Sequence, residues 1–230
     1  MDQLFFDLFG QVPGTSTAMI VSLSALSTVL SGLALVLLAV RSDLGWWAKV
    51  LSVFAGPLTI ALLYTYADLV HALPLMAVAA YGLWRFSKYP TAGRFGRDVR
   101  VRGASARAVA WGVALVLAFT ALGLGQMLTS GLAFSPAAWG LWANAALGAV
   151  VTAGFVGIAH GIRAAWLAVA AASAGFIALF FANQPALATL GALVLQLFAA
   201  LYGWWAWRPA PAEAAPAAAD EAYPPSPYTT

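Results

Sequence analysis

The sequence is poor in the residues that most catalytic and metal sites use. It contains no cysteine, so it has no disulfide, no thiolate nucleophile and no Cys-ligated metal site. Its two histidines, His71 and His160, are far apart in the sequence and do not suggest a metal centre. Charged residues make up 8% of the chain, against about 25% in soluble domains. We therefore expect no metal, no other cofactor and no enzymatic activity.

Apolar residues dominate the sequence. They make up 63% of the 230 residues, and so short a chain cannot hide that much apolar surface in a soluble core. A helix crosses the hydrocarbon layer with about 20 apolar residues. The stretches of that length are Thr17 to Val40, Trp46 to Tyr66, Asp68 to Phe86, Ala108 to Leu128, Pro136 to Gly161, Ala164 to Ala182 and Pro185 to Trp207. The sequence thus predicts an all-α integral membrane protein with seven transmembrane helices.

The basic residues indicate how these helices are oriented. Seven of the eleven lie from Arg85 to Arg107. The other four lie on the same side of the predicted membrane, with Lys49 just inside the second span: Arg41, Lys49, Arg163 and Arg208. The positive-inside rule places this side in the cytoplasm and the N-terminus outside. Cations so dispersed do not form a nucleic-acid-binding face. We expect a multi-pass protein of a bacterial-type inner (plasma) membrane.

Three segments lie outside the predicted helical repeats. Residues 1–16 are acidic and lack the basic start of a cleaved signal peptide, so we expect a retained extracytoplasmic segment. Residues 87–107 form a basic cytoplasmic loop, which can also bind anionic membrane lipid. Residues 209–230 contain six prolines and eight alanines, which predicts a disordered cytoplasmic tail.

An internal repeat divides the predicted helices. Tyr81-Gly82 near the end of the third span and Tyr202-Gly203 near the end of the seventh are 121 residues apart, and Trp47 and Trp166 are 119 apart. The sequence predicts a 3+1+3 arrangement with two parallel three-helix repeats, residues 17–86 and 136–208, joined by a linker helix, residues 108–128. Such duplications in transporters put the substrate between the halves, near the middle of the membrane.

Polar side chains inside apolar spans are costly and mark candidate sites. Asn144 and Gln196 carry amides that donate and accept, which suits ribose hydroxyls or the edge of a heterocycle. Trp142, Trp166 and Trp204 offer faces for a flat ring. Hydroxyl residues in the spans more often bond to their own helix backbone. No Asp, Glu, Lys or Arg lies deep in a predicted span, which favours passive transport over proton coupling.

The span layout and the two Tyr-Gly-x-Trp motifs resemble those of the PnuC-type vitamin transporters, which include nicotinamide riboside, riboflavin and thiamine carriers. Their motif W-x-x-W-x-x-x-N on the sixth span is kept here at Trp166, whereas Val169 and Ser173 replace the second tryptophan and the asparagine. The resemblance implies a substrate site with these members: Trp142, Asn144, Trp166, Ser173, Gln196, Tyr202 and Trp204.

The resemblance implies a transporter of a small vitamin or nucleoside-like molecule, working by facilitated diffusion with alternating access. Nicotinamide riboside is the first expected substrate, followed by riboflavin or thiamine. Two alternatives stay open: a SWEET-like sugar carrier, and a non-transporting membrane receptor or adaptor that uses the basic loop and the tail. Gly and Ala are abundant enough to allow a homo-oligomer, since small residues let helices pack closely.

Overall fold

The computed structural model describes residues 16–64, 66, 69–88, 91–93, 96–129, 139–183 and 187–208. Within them, seven helices are long and apolar enough to cross a membrane, which confirms the predicted membrane fold. The first to seventh spans are Ser16–Ala39, Leu44–Leu63, Leu69–Lys88, Ala106–Thr129, Trp139–Ala159, Ala164–Asn183 and Leu187–Ala206. Apart from Ser16, the predicted N-terminal segment and the Pro-rich tail lie outside the described residues.

The second span is irregular near its middle. It consists of an α-helix, a π-helical turn and a second α-helix: Leu44–Val53, Phe54–Leu58 and Thr59–Leu63. Pro57 lies in the π-helical turn and has no N–H with which to continue the regular hydrogen bonds. Ser27 Oγ of the first span donates to the carbonyl of Ser52 at 2.7 Å. A Cβ on Gly56 would lie 2.3 Å from the Cβ of Ser27, so the two spans approach closely here.

The spans pack as two groups of three with one helix at the side. The second span contacts the first and third, and the sixth contacts the fifth and seventh. Two further interfaces join the groups, one between the first and seventh spans and one between the third and fifth. The fourth span packs mainly on the fifth and is the least buried of the seven. The space between the two groups is therefore enclosed by spans from both halves of the chain.

A tryptophan sits against a glycine in each group. A Cβ on Gly82 would lie within 2.2–2.4 Å of ring atoms of Trp46, and a Cβ on Gly203 within 2.4–2.5 Å of ring atoms of Trp166. Trp46 and Trp166 are both fully buried. The tryptophan with this position in the first group is Trp46 rather than Trp47, whose side chain is 57% exposed.

The turns before the second and sixth spans have the same hydrogen bonds. Ser42 N donates to Leu37 O, and Ile162 N, 120 residues later, donates to Gly157 O. Each turn contains a residue of positive φ, Arg41 at 63° and Gly161 at 75°. Arg41 adopts this conformation although it has a Cβ, whereas glycine adopts it without steric cost.

Contacts at one end of the bundle join the two groups of spans. The described Arg and Lys side chains other than Lys49 lie in the loops of this end and at the adjoining ends of the spans, so we call it the basic end. Its loop contains a short antiparallel hairpin, β1 Thr91–Gly93 and β2 Gly96–Asp98. The carboxylate of Asp98 is buried and pairs with Arg41. The backbone of Arg102 exchanges hydrogen bonds with the 161–163 turn of the second group. The basic loop thus contacts both halves.

Candidate functional site

A cavity lies between the two groups of spans. It has a volume of about 580 Å³, and an adjoining cavity of about 300 Å³ shares nine of its lining residues. The shared residues are Ser27, Thr28, Pro57, His71, Leu75, Asn144, Gly148, Thr152 and Phe176. We call the two together the central cavity. The shared residues come from the first, second, third, fifth and sixth spans. The fourth span also lines the larger part and the seventh span the smaller part, so the cavity is built by both halves of the chain and the fourth span.

The smaller part of the central cavity extends it towards the basic end. Its smaller part is lined by Ser31, Lys49 and Gln196, which do not line the larger part. Beyond them the bundle is closed by large buried rings: Trp46 packs edge-on against Phe155 with ring centroids 6.0 Å apart. The cavity therefore ends in the bundle before it reaches the basic end.

Two of the predicted substrate residues, Asn144 and Gln196, line the central cavity. Asn144 lines both parts of it and has an exposed side chain. Gln196 is buried, and its Nε2 donates to the carbonyl of Thr28 at 3.2 Å. That bond links the seventh span to the first. It uses one of the two Nε2 protons, so the amide keeps a donor and its acceptor oxygen.

Trp166 and Ser173, the two predicted residues on the sixth span, lie in the protein core. Trp166 is fully buried and packs edge-on against Trp207, with ring centroids 5.2 Å apart. Ser173 is also fully buried, and its hydroxyl donates to the carbonyl of Val169 on the same helix at 2.9 Å. Neither residue lines the central cavity.

The three remaining predicted residues also lie away from the cavity lining. Trp204 is at the basic end, where the guanidinium of Arg163 lies 4.6 Å from its ring and Arg163 Nε donates to its carbonyl. Tyr202 is 41% exposed and its ring lies beside that of Trp205. Trp142 is partly buried near the start of the fifth span. The structure thus brings Asn144 and Gln196 together and separates them from the other five.

Hydroxyl groups along the cavity bond mainly to helix backbone, as the sequence predicts for such residues. Thr28 Oγ1 donates to Ser24 O, and Thr152 Oγ1 donates to Gly148 O, both at 2.8 Å. Their protons are used, so these hydroxyls present lone pairs to the cavity.

Lys49 lines the cavity, although the sequence did not mark it as a site residue. The sequence predicts Lys49 just inside the second span, and the structure shows that its side chain is only 7% exposed and reaches the cavity lining. Lys49 Nζ donates to Ser31 Oγ at 2.9 Å and lies 4.2 Å from the centroid of Phe155. The signal that could have identified it is an ionisable residue within an apolar run.

A histidine at the basic end joins the two halves. Tyr81 Oη of the third span and Nε2 of His160, one residue beyond the fifth span, form a hydrogen bond of 2.8 Å. Burial lowers the pKa of His160, and the positive charges of Arg85 and Arg102 lower it further. His160 is therefore held in the neutral form near pH 7.

The central cavity is lined by polar and aromatic groups of the kind that bind a small molecule. Among the residues that the structure describes, no three His, Cys, Asp or Glu side chains lie close enough together to hold a metal ion. The cavity offers three amides, Gln126, Asn144 and Gln196, together with several hydroxyls, one ammonium, one imidazole and aromatic rings.

Comparisons with known proteins show the family and the fold. The model of a family described as nicotinamide mononucleotide transporter matches residues 22–209. Among solved structures, a crystal structure of the vitamin B3 transporter PnuC is similar, with a TM-score of 0.60 and 17% identity over 81% of this chain and 80% of that one. At this identity the likeness concerns the fold. Comparison with curated proteins gives no match.

Proposed function

Since the chain belongs to the nicotinamide mononucleotide transporter family, we propose that its central cavity carries a small vitamin or nucleoside-like molecule across the membrane. The chain is a multi-pass membrane transporter of this family. The observation that carries the proposal is a cavity of about 580 Å³ that lies between the two halves of the chain and is lined by two amides, Gln126 and Asn144. The resemblance puts nicotinamide riboside first among the substrates, then riboflavin and thiamine.

In this proposal Asn144 and Gln196 hold the substrate. Asn144 is exposed to the cavity, and Gln196 keeps one Nε2 proton and its oxygen for a ligand. Phe155 and Phe176 supply ring faces in the same lining, a role that the sequence had suggested for tryptophans. The proposed roles of Trp142, Trp166, Ser173, Tyr202 and Trp204 stay predictions.

Transport is proposed to be facilitated diffusion with alternating access. The two halves, residues 17–86 and 136–208, act as parallel repeats, and residues 108–128 form the linker helix. The matching Trp–Gly contacts and turns, 120 or 121 residues apart, support this division. The Tyr81–His160 bond and the bond from Trp207 Nε1 to Leu38 O hold the halves together at the basic end. These bonds break when the cavity opens there.

The basic end is proposed to face the cytoplasm. The described cations other than Lys49 lie at this end, and cytoplasmic loops carry the excess of Lys and Arg. Substrate therefore enters from the opposite side, into the larger part of the cavity, and leaves past the basic end.

Exchange in proteoliposomes tests the proposed function. Vesicles containing the purified full chain are loaded with one unlabelled compound, and uptake of the labelled compound is followed without any ion gradient. The panel is nicotinamide riboside, riboflavin, thiamine and glucose. Saturable exchange of one vitamin supports the proposal. Exchange of glucose alone favours a sugar carrier, and no exchange by folded protein contradicts transport of the panel.

A tail deletion separates the transporter from a receptor or adaptor. Removing residues 209–230 leaves the helices that line the cavity in place. A carrier lacking this tail should exchange the vitamin at the rate of the full chain. Absence of vitamin exchange both in the full chain and in the chain without residues 209–230 would instead favour an adaptor.

A further inference from the structure

The charge of Lys49 bears on which molecules the cavity accepts. Lys49 lies about 7 Å from the start of the second span, at 1.5 Å of rise per residue, and its side chain is 7% exposed. It belongs to the lining of the smaller part of the central cavity. The ammonium group therefore lies at the end of the space that the proposed substrate occupies.

No carboxylate balances this ammonium among the described residues. The described acidic residues, Asp43 and Asp98, face the basic end: Asp98 pairs with Arg41, and Asp43 Oδ1 accepts from Arg97 N at 3.4 Å. The contacts of Lys49 are a neutral hydroxyl, Ser31 Oγ, and the ring of Phe155. His71 is the other titratable side chain of the lining, and it adds no negative charge.

An ammonium ion buried without an anion is costly, and ionisable residues inside a membrane protein mark functional sites by default. The Ser31 hydroxyl accepts from Lys49, so its own proton is available to a ligand oxygen. Gln196 lines the same part of the cavity and keeps one Nε2 proton. Three donors thus converge there, a set that suits an anionic group with several acceptor oxygens.

We propose that Lys49 makes the cavity selective for a substrate that carries an acidic group, a carboxylate or a phosphate, over a cationic one. The inference rests on the proposed function and changes its order of substrates. Nicotinamide riboside and thiamine each bear a cationic ring, which Lys49 repels through a medium of low polarity. A form of the vitamin with an acidic group places that group at Lys49 and its ring among the aromatic side chains.

The test uses ligands that differ only in charge or by one phosphate. The full chain is placed in nanodiscs at pH 7, and binding constants are measured for nicotinamide riboside, nicotinic acid riboside and nicotinamide mononucleotide. Riboflavin and its 5′-phosphate form a second pair with a different ring. Since a hydrogen bond to a charged group is worth roughly tenfold or more in affinity, the acidic member of at least one set should bind about tenfold more tightly.

The two lysines of the chain provide a variant and its control. Lys49→Met removes the buried charge and should abolish the preference for the acidic ligand. Binding of the acidic ligand should weaken by about tenfold or more, and binding of its uncharged or cationic counterpart should stay the same or become tighter. Lys88→Met removes a charge that lies exposed over the ring of Trp84 at the basic end, and should leave the preference intact. Lys49→Gln is the second variant, used if Lys49→Met does not fold.

The outcomes separate this inference from the proposed function. A preference for the acidic ligand in the wild type that is lost in the Lys49 variants and kept in Lys88→Met supports the inference. A wild type that binds and exchanges a vitamin without charge preference, or a preference that survives in the Lys49 variants, overturns the inference and leaves the transporter standing. Folded wild type that neither binds nor exchanges any of these compounds overturns both.

Discussion

Trp46 and Trp166 occupy matching positions in the two halves of the chain, 120 residues apart, and each lies against the glycine of a Tyr-Gly pair. Each also packs edge-on against a ring four residues after that glycine, Phe86 or Trp207, at an interplanar angle of 72°. The glycine leaves the space that the indole fills. The Tyr-Gly motif therefore marks a packing site near the basic end of each half.

Replacing either tryptophan should destabilise the fold. Trp46→Ala and Trp166→Ala each remove a fully buried indole and should cost about 3–5 kcal/mol, because the surrounding helices close such a cavity only partly. Trp47→Ala is the matched control, since that neighbouring side chain is 57% exposed, and it should change stability by less than about 1 kcal/mol. Thermal unfolding in detergent measures all three. Equal melting temperatures for Trp46→Ala and Trp47→Ala would contradict this packing role.

Asn144 should affect ligand binding without affecting stability. Its side chain is exposed to the cavity, so Asn144→Ala should leave the melting temperature of the empty protein unchanged. Asn144→Ala should weaken binding of the transported ligand about 3- to 10-fold, the range expected for one or two lost hydrogen bonds. Leu141→Ala, one turn earlier on the same helix and outside the lining, is the control. The measurement is ligand-induced thermal stabilisation; equal stabilisation in the two variants would remove Asn144 from the site.

Periodicity and composition were sufficient to predict the seven spans. The apolar runs fix their number, and the predicted ends differ from the observed ones by at most three residues, as at Trp46 to Tyr66 against Leu44–Leu63. The π-helical turn around Pro57 could not be predicted beyond its proline. The hydrogen bond from Ser27 to Ser52 O next to it joins residues 25 positions apart, and a single sequence does not specify such a contact.

The site was harder to predict than the fold. Asn144 and Gln196 stood out because an amide inside an apolar helix needs a partner. Trp166 stood out equally but is a core residue, since the direction of its side chain depends on Gly203, 37 residues later. Lys49, predicted just inside the second span, did not stand out as a site residue because proximity to a helix end does not show whether a side chain points out or in. These differences arise from contacts between helices, which a single sequence does not specify.

Acidification should destabilise the protein through His160. Because the pKa of His160 is lowered in the folded protein, the unfolded chain binds more protons once the pH falls below about 6.5, and stability falls with it. Melting temperatures measured from pH 7.5 to 5 should drop less in His160→Gln than in the wild type. The variant removes this titration, so an identical pH dependence in both proteins would show that His160 does not contribute.

The central claim is that substrate passes through the cavity between the two halves, and the absence of native cysteine allows one measurement to test it directly. Gly148 lines both parts of the cavity and Gly191 lines neither, and a Cβ at either position meets no atom within 4 Å. Gly148→Cys and Gly191→Cys are each treated with a membrane-permeant thiol reagent, and vitamin exchange in proteoliposomes is then measured. The account predicts that the reagent abolishes exchange by Gly148→Cys, that substrate slows this inactivation, and that Gly191→Cys keeps full exchange. Unimpaired exchange by the fully modified Gly148→Cys protein would contradict it.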